Sequence, residues 1–140
     1  MPLFGPPNVE KMRAEKNVKA LLEVLSHGKD LKLRKAAALA LGEIRDLNAV
    51  LPLINVLKNT RVPVNLNNPS ESLAKTRENN ELRGAAAQAL GEIGDVAAWE
   101  SLIAVRDEFV IGIFDGGSNL RAAVVKALEK IDPRLRALEC

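Results

Sequence analysis

Residues 33–46, LRKAAALALGEIRD, return at 82–95 as LRGAAAQALGEIGD with 11 of 14 positions identical, and more loosely at 120–132 as LRAAVVKALEKID. Such self-similarity constrains the fold more than any single residue does. Each copy must be one supersecondary unit that covers the apolar face its neighbour leaves open, so the copies predict a stacked array with an outer surface free to receive a partner.

The period inside each copy is helical. Leu33, Ala37, Leu41 and Ile44 fall in one stripe at 3.6 residues per turn, as do Leu82, Ala86, Leu90 and Ile93, and Leu120, Val124, Leu128 and Ile131. The alanines between them keep these first helices thin enough for close neighbours. Each copy ends at an aspartate, Asp46, Asp95 or Asp132, whose carboxylate is placed to accept from the free amides of a second helix. Gly94 offers a left-handed stop before Asp95, and Pro133 has the place of an N1 proline. The second helices read VLPLINVL at 50–57 and WESLIAVR at 99–106. VKALLEVL at 18–25 has the same pattern and closes an N-terminal unit whose first helix is expected near 8–14.

The expected units are therefore 8–30, 31–58, 81–108 and 119–140 of one domain, 1–140, with insertions at about 59–80 and 107–119. The fold class is all-α, a right-handed α-α superhelix of about three and a half helical hairpins. Both insertions run from a second helix to the next first helix, so both emerge on one edge of the stack, where insertions often build a binding face. NLNNPSES at 65–72 reads as loop, with at most one helical turn after Ser70. VPVNL at 62–66 and VIGIF at 110–114 either pair as a short ribbon over this edge or tuck separately onto their own hairpins; Pro63 and Gly112 favour the second reading.

Composition narrows the function. Twenty basic against eighteen acidic residues leave a net charge of +2, too small an imbalance to hold phosphate backbones by itself, so nucleic acid is not the default partner. Phe4, Trp99, Phe109 and Phe114 are the only aromatics, too few for a base-stacking platform. One cysteine, Cys140, allows no intrachain disulfide, and neither a leader pattern nor a membrane-length apolar run is present. The expectation is a cytoplasmic protein with no membrane partner.

The pattern LR-x-x-A-A-x-A-L-G-E-I-x-D, followed by V-x-x-L-I-x-x-L, resembles the HEAT-like repeats named for phycobilisome lyases. The resemblance covers the chain apart from its insertions. It implies that the second helices line a concave face that receives a protein or peptide, and by position that face comprises Lys19, Glu23, Leu51, Asn55, Lys58, Glu100 and Ala104. It equally implies a different function, phycobilin handling. Three positions depart from the pattern. Arg106 stands where Leu25 and Leu57 are apolar, Glu129 replaces Gly42 and Gly91, and the last second helix has only a few residues before Cys140. Leu135 and Leu138 then need a cover, either residues beyond this sequence or a second copy, so a homodimer through the C-terminal unit is one expectation.

No nucleophile with its base and no cofactor motif is present, so the expectation is a non-catalytic protein without cofactors. His27 is the only histidine, which removes the His-Glu iron sites of the hydroxylase branch of HEAT-like proteins; at a helix end it reads as a solvated cap. Arg34, Arg83 and Arg121 recur after the leading leucine and read as stems packed along the hairpins with forks reaching Asp46, Asp95 or Asp132. Gly116, Gly117, Ser118 and Arg121 form a weak candidate anion site at a helix start, weighed against an ordinary capped turn. Lys19, Arg34, Arg61, Arg77, Arg83 and Arg121 are the set through which anions or nucleic acid would bind, with steep salt dependence. Trp99 takes the slot of Val18 and Val50 and reads as core, with a ligand pocket as the lesser alternative; Cys140, with no activating neighbour, reads as inert rather than as a bilin tether.

Overall fold

The computed structural model describes residues 8–59, 66–108 and 118–132. Within them the chain is helical, with α1 at Val9–Ala14, α2 at Val18–His27, α3 at Leu31–Ile44, α4 at Val50–Asn59, α5 at Pro69–Ile93, α6 at Trp99–Glu108 and α7 at Ser118–Ile131. No strand occurs among the described residues.

The starts of these helices follow from short polar side chains. Asn8 Oδ1 accepts from Lys11 N at 3.0 Å, Asn17 Oδ1 from Ala20 N at 3.1 Å and Asp30 Oδ1 from Lys32 N at 2.8 Å, satisfying amides that have no partner in the first turn. Asp46 and Asp95 accept from Asn48 N and Ala97 N at 2.8 and 2.9 Å. They cap a single 3-10 turn, Leu47–Ala49 or Val96–Ala98, that leads into α4 or α6. The aspartates thus act one turn upstream of the second helices.

The helices form two layers. α1, α3, α5 and α7 lie side by side in one, α2, α4 and α6 in the other, and across the gap each second helix packs on the first helix that follows it, α2 on α3, α4 on α5 and α6 on α7. Leu21, Leu53 and Leu102 from the second helices meet Leu41, Leu82, Leu90 and Leu120 from the first, all essentially closed to solvent. Each enclosed leucine removes apolar surface worth about 1.5–3 kcal/mol. The core runs unbroken along the stack.

Spacing in the first-helix layer is set by glycine. A Cβ at Gly42 would lie 2.7 Å from Ala89 Cα, and one at Gly91 would lie 2.7 Å from Ala127 Cα. α5 and α7 therefore each press an alanine against the bare backbone of the first helix before them. In the third copy Glu129 holds the glycine position, so no helix can approach that flank of α7 at the same spacing.

The first insertion departs from expectation. Residues 69–80, expected above to lie in an insertion with a loop at 65–72 and at most one helical turn after Ser70, are the first three turns of α5, which runs 25 residues without a break. Asn68 Oδ1 caps Glu71 N at 3.2 Å, Pro69 stands at the first position and Glu71 pairs with Lys75 at 2.9 Å. This N-cap, N1 proline and i,i+4 pair outweigh the loop-like composition of NLNNPSES. All of VIGIF, and all of VPVNL except the exposed Leu66, lie outside the described residues, as do Pro133, Leu135, Leu138 and Cys140.

Candidate interaction surface

The second helices are stacked copies in register. Leu21, Leu53 and Leu102 point into the core, as do Val24, Val56 and Val105. The opposite stripe of the same helices carries the seven residues the resemblance implied. Lys19, Leu51 and Glu100 occupy one equivalent position and Glu23, Asn55 and Ala104 the next. Lys58 lies one turn on; all seven are exposed. A helix stripe at i, i+3, i+4 and i+7 includes a fourth position, and there Leu22 and Ile103 are half-buried and Ile54 is buried. The surface is thus an aliphatic floor flanked by polar rows, three helices wide.

Leu51 is the large apolar side chain on this stripe, 70% exposed. Leu47 and Val96, at equivalent places in the 3-10 turns ahead of α4 and α6, are 66% and 73% exposed and extend apolar surface toward one edge. Sequence periodicity did not single out this pair, because the turns lie outside both helical stripes. The signal was there in the repeat itself, which puts an aliphatic residue directly after each capping aspartate.

Charges are organised differently in the two layers. Ion pairs between units run along the first helices. Arg13 Nη1 meets Glu43 Oε2 at 2.8 Å, Lys35 Nζ meets Glu81 Oε2 at 3.3 Å, and Glu92 receives both Arg45 Nη2 at 3.6 Å and the ammonium of Lys130. The hydrogen bond from Lys130, with Arg45 adding to it, holds the Glu92 carboxyl below the usual carboxylate range. On the second helices, Lys19, Glu23, Lys58 and Glu100 form no ion pair with a described residue. Arg106, the departure from the apolar pattern, is half-buried and lies 3.4 Å from Asp107.

Two of the three repeated arginines, Arg34 and Arg83, are structural, with a different partner from the expected one. Arg34 Nε donates to Leu25 O at 2.9 Å and Arg83 Nε donates to Leu57 O at 2.8 Å. Each closes the carbonyl end of the preceding second helix, where a cation is favoured and last-turn carbonyls lack amide partners. Asp46 and Asp95 are engaged in the caps described above. Two of the six basic residues considered for anions or nucleic acid, Arg34 and Arg83, are thus committed to helix ends; Arg61 lies outside the described residues, and Lys19, Arg77 and Arg121 are exposed on three different helices.

The remaining candidates are quickly placed. Gly116 and Gly117 lie outside the described residues, Ser118 is the first residue of α7 and Arg121 is exposed. His27 is the exposed last residue of α2. Trp99 is half-buried against the core. An open groove of about 300 Å³ between α5 and α7 is lined by Gln88, Ala122, Ala123, Lys126, Ala127 and Lys130. It belongs to the first-helix layer and contains none of the seven surface residues. Among the described residues no three His, Cys, Asp or Glu side chains gather as a metal site, and no helix is long and apolar enough to cross a membrane.

The PBS lyase HEAT-like repeat family model matches residues 33–59 and 82–107. No curated protein matches the chain. The matched stretches are α3 with α4 and the C-terminal half of α5 with α6, the two hairpins joined at Gly42 and Ala89. Two stretches of the chain thus match the PBS lyase HEAT-like repeat, and they stack with flanking helices in one all-α array.

Proposed function

We propose that the protein is a non-catalytic scaffold that binds a protein or peptide on the face formed by α2, α4 and α6. The observation that carries this reading is the exposure of all seven equivalent outward positions, Leu51 at 70%, over the floor of Leu22, Ile54 and Ile103. Stacked helices with apolar floors and polar rims are suited to hold a segment of another chain. The added turns of α5, residues 69–80, extend the surface available to a partner. A cytoplasmic setting belongs to the same reading and rests on the single cysteine. Capture from a lysate of the native host tests it. Wild-type protein should retain a partner that Leu51→Asp releases, with the thermal melt of the variant unchanged; equal capture by both would reject this face.

The printed description of the family favours one second reading, a protein that handles phycobilins as a lyase does. Mixing with phycocyanobilin separates the two. A lyase-type protein would change the absorbance of the bilin and the fluorescence of Trp99, whereas the scaffold leaves both unchanged.

A further inference from the structure

The row Lys19, Leu51, Glu100 crosses the three second helices at one equivalent position, and it changes character from helix to helix: a cation on α2, a leucine on α4, an anion on α6. Neither charge is engaged by a described residue, in contrast to the paired charges that link the first helices. Adjacent packed helices stand about 8–10 Å apart. A polyproline II segment has three residues per turn and rises about 3.1 Å per residue, so its side chains three apart share one face about 9 Å apart, the distance from one helix to the next.

We infer that this face takes a segment in the polyproline II conformation bearing one acidic, one apolar and one basic side chain at intervals of three residues. The segment lies across α2, α4 and α6 with its acid at Lys19, its apolar side chain on Leu51 and its base at Glu100. The inference rests on the reading of this face as the partner surface and names the partner's chemistry. Leu51 supplies burial, and the end charges supply register, because a like charge at either end is repelled. The segment can run in either chain direction, since acid and base exchange order when it is reversed.

Three synthetic peptides test this by fluorescence polarisation at low salt: Asp-X-X-Leu-X-X-Lys, Lys-X-X-Leu-X-X-Lys and Asp-X-X-Leu-X-X-Asp, with alanine and serine as X. The wild-type protein should prefer the mixed peptide by about three- to tenfold, the range expected of exposed charge pairs exchanged for repulsion. Lys19→Glu should switch the preference to the peptide with two lysines, and Glu100→Lys to the peptide with two aspartates. Salt at high concentration should level all three. Equal binding of the three peptides by wild type, with loss of binding in Leu51→Asp, would overturn the charge order and leave the face standing. Binding undiminished by Leu51→Asp would overturn both. If none of the peptides binds, the inferred segment is wrong, and capture from the host lysate decides the face independently. Circular dichroism of each variant confirms that the fold is kept.

Discussion

Single residues set the spacing and the turns of this stack. At Gly91 a methyl group has no room, since Ala127 Cα lies 2.7 Å from where the Cβ would stand. Gly91→Ala should therefore destabilise the protein by about 1–3 kcal/mol through overpacking, less about 1 kcal/mol regained from helix propensity. Urea denaturation measures the balance, which is expected to remain unfavourable because the neighbour is backbone. The turns between first and second helices use the left-handed conformation, with Gly94 at φ 75° and Arg45 at φ 61°. Gly94→Ala should cost about 1 kcal/mol, although nothing crowds the site, because the penalty lies in the backbone. Arg45→Gly should stabilise by a similar amount, less a few tenths for the exposed pair with Glu92. Opposite signs at two equivalent positions, read from the two urea midpoints, are the expected result.

At the scale of elements, the repeat made some helices readable and obscured one. Leu41, Leu90 and Leu128 lie where the 3.6-residue stripe put them, and α2, α4 and α6 begin at Val18, Val50 and Trp99 as the second copies required. Residues 69–80 were missed because they have no counterpart in the other copies and no apolar stripe, so only local start signals marked them: Asn68 as cap, Pro69 after it, Glu71 with Lys75. Asn68→Ala should cost about 1 kcal/mol of helix stability and fray the first turn of α5, raising amide exchange there without changing exchange at Leu90. The partner of the repeated arginine was also hidden from the sequence. Leu25 O and Leu57 O belong to the backbone, and no side-chain pattern announces a carbonyl. Ion pairing at Glu92 has a pH signature. Its carboxyl titrates lower in the folded protein than in the unfolded chain, because Lys130 and then Arg45 favour the charged form. The stability it contributes is present above the unfolded pKa and is lost as pH falls through the folded one. Wild type and Glu92→Gln should differ in urea midpoint at neutral pH and converge in acid.

For the whole molecule, the contacts between units and the proposed partner surface fall on different layers. The first helices carry the glycine contacts and the ion pairs between units, while the second helices present the aliphatic floor, Leu51 and charges with no described partner. Family resemblance pointed to that face from the sequence; the added apolar edge at Leu47 and Val96 was written in the repeat, directly after each capping aspartate, but became apparent with the exposure of the turns. Substitutions in the first layer should then lower stability with partner capture retained below the melt, and substitutions on the second should do the reverse. Hydroxyl-radical footprinting with the partner captured from the native host tests this division most directly. Oxidation of Leu51, with that of Leu22 and Ile103 beside it, should fall when the partner is bound, while Leu39 and Lys126 on the first helices remain unchanged. Protection of Leu39 and Lys126 with Leu51 still fully oxidised would contradict the account.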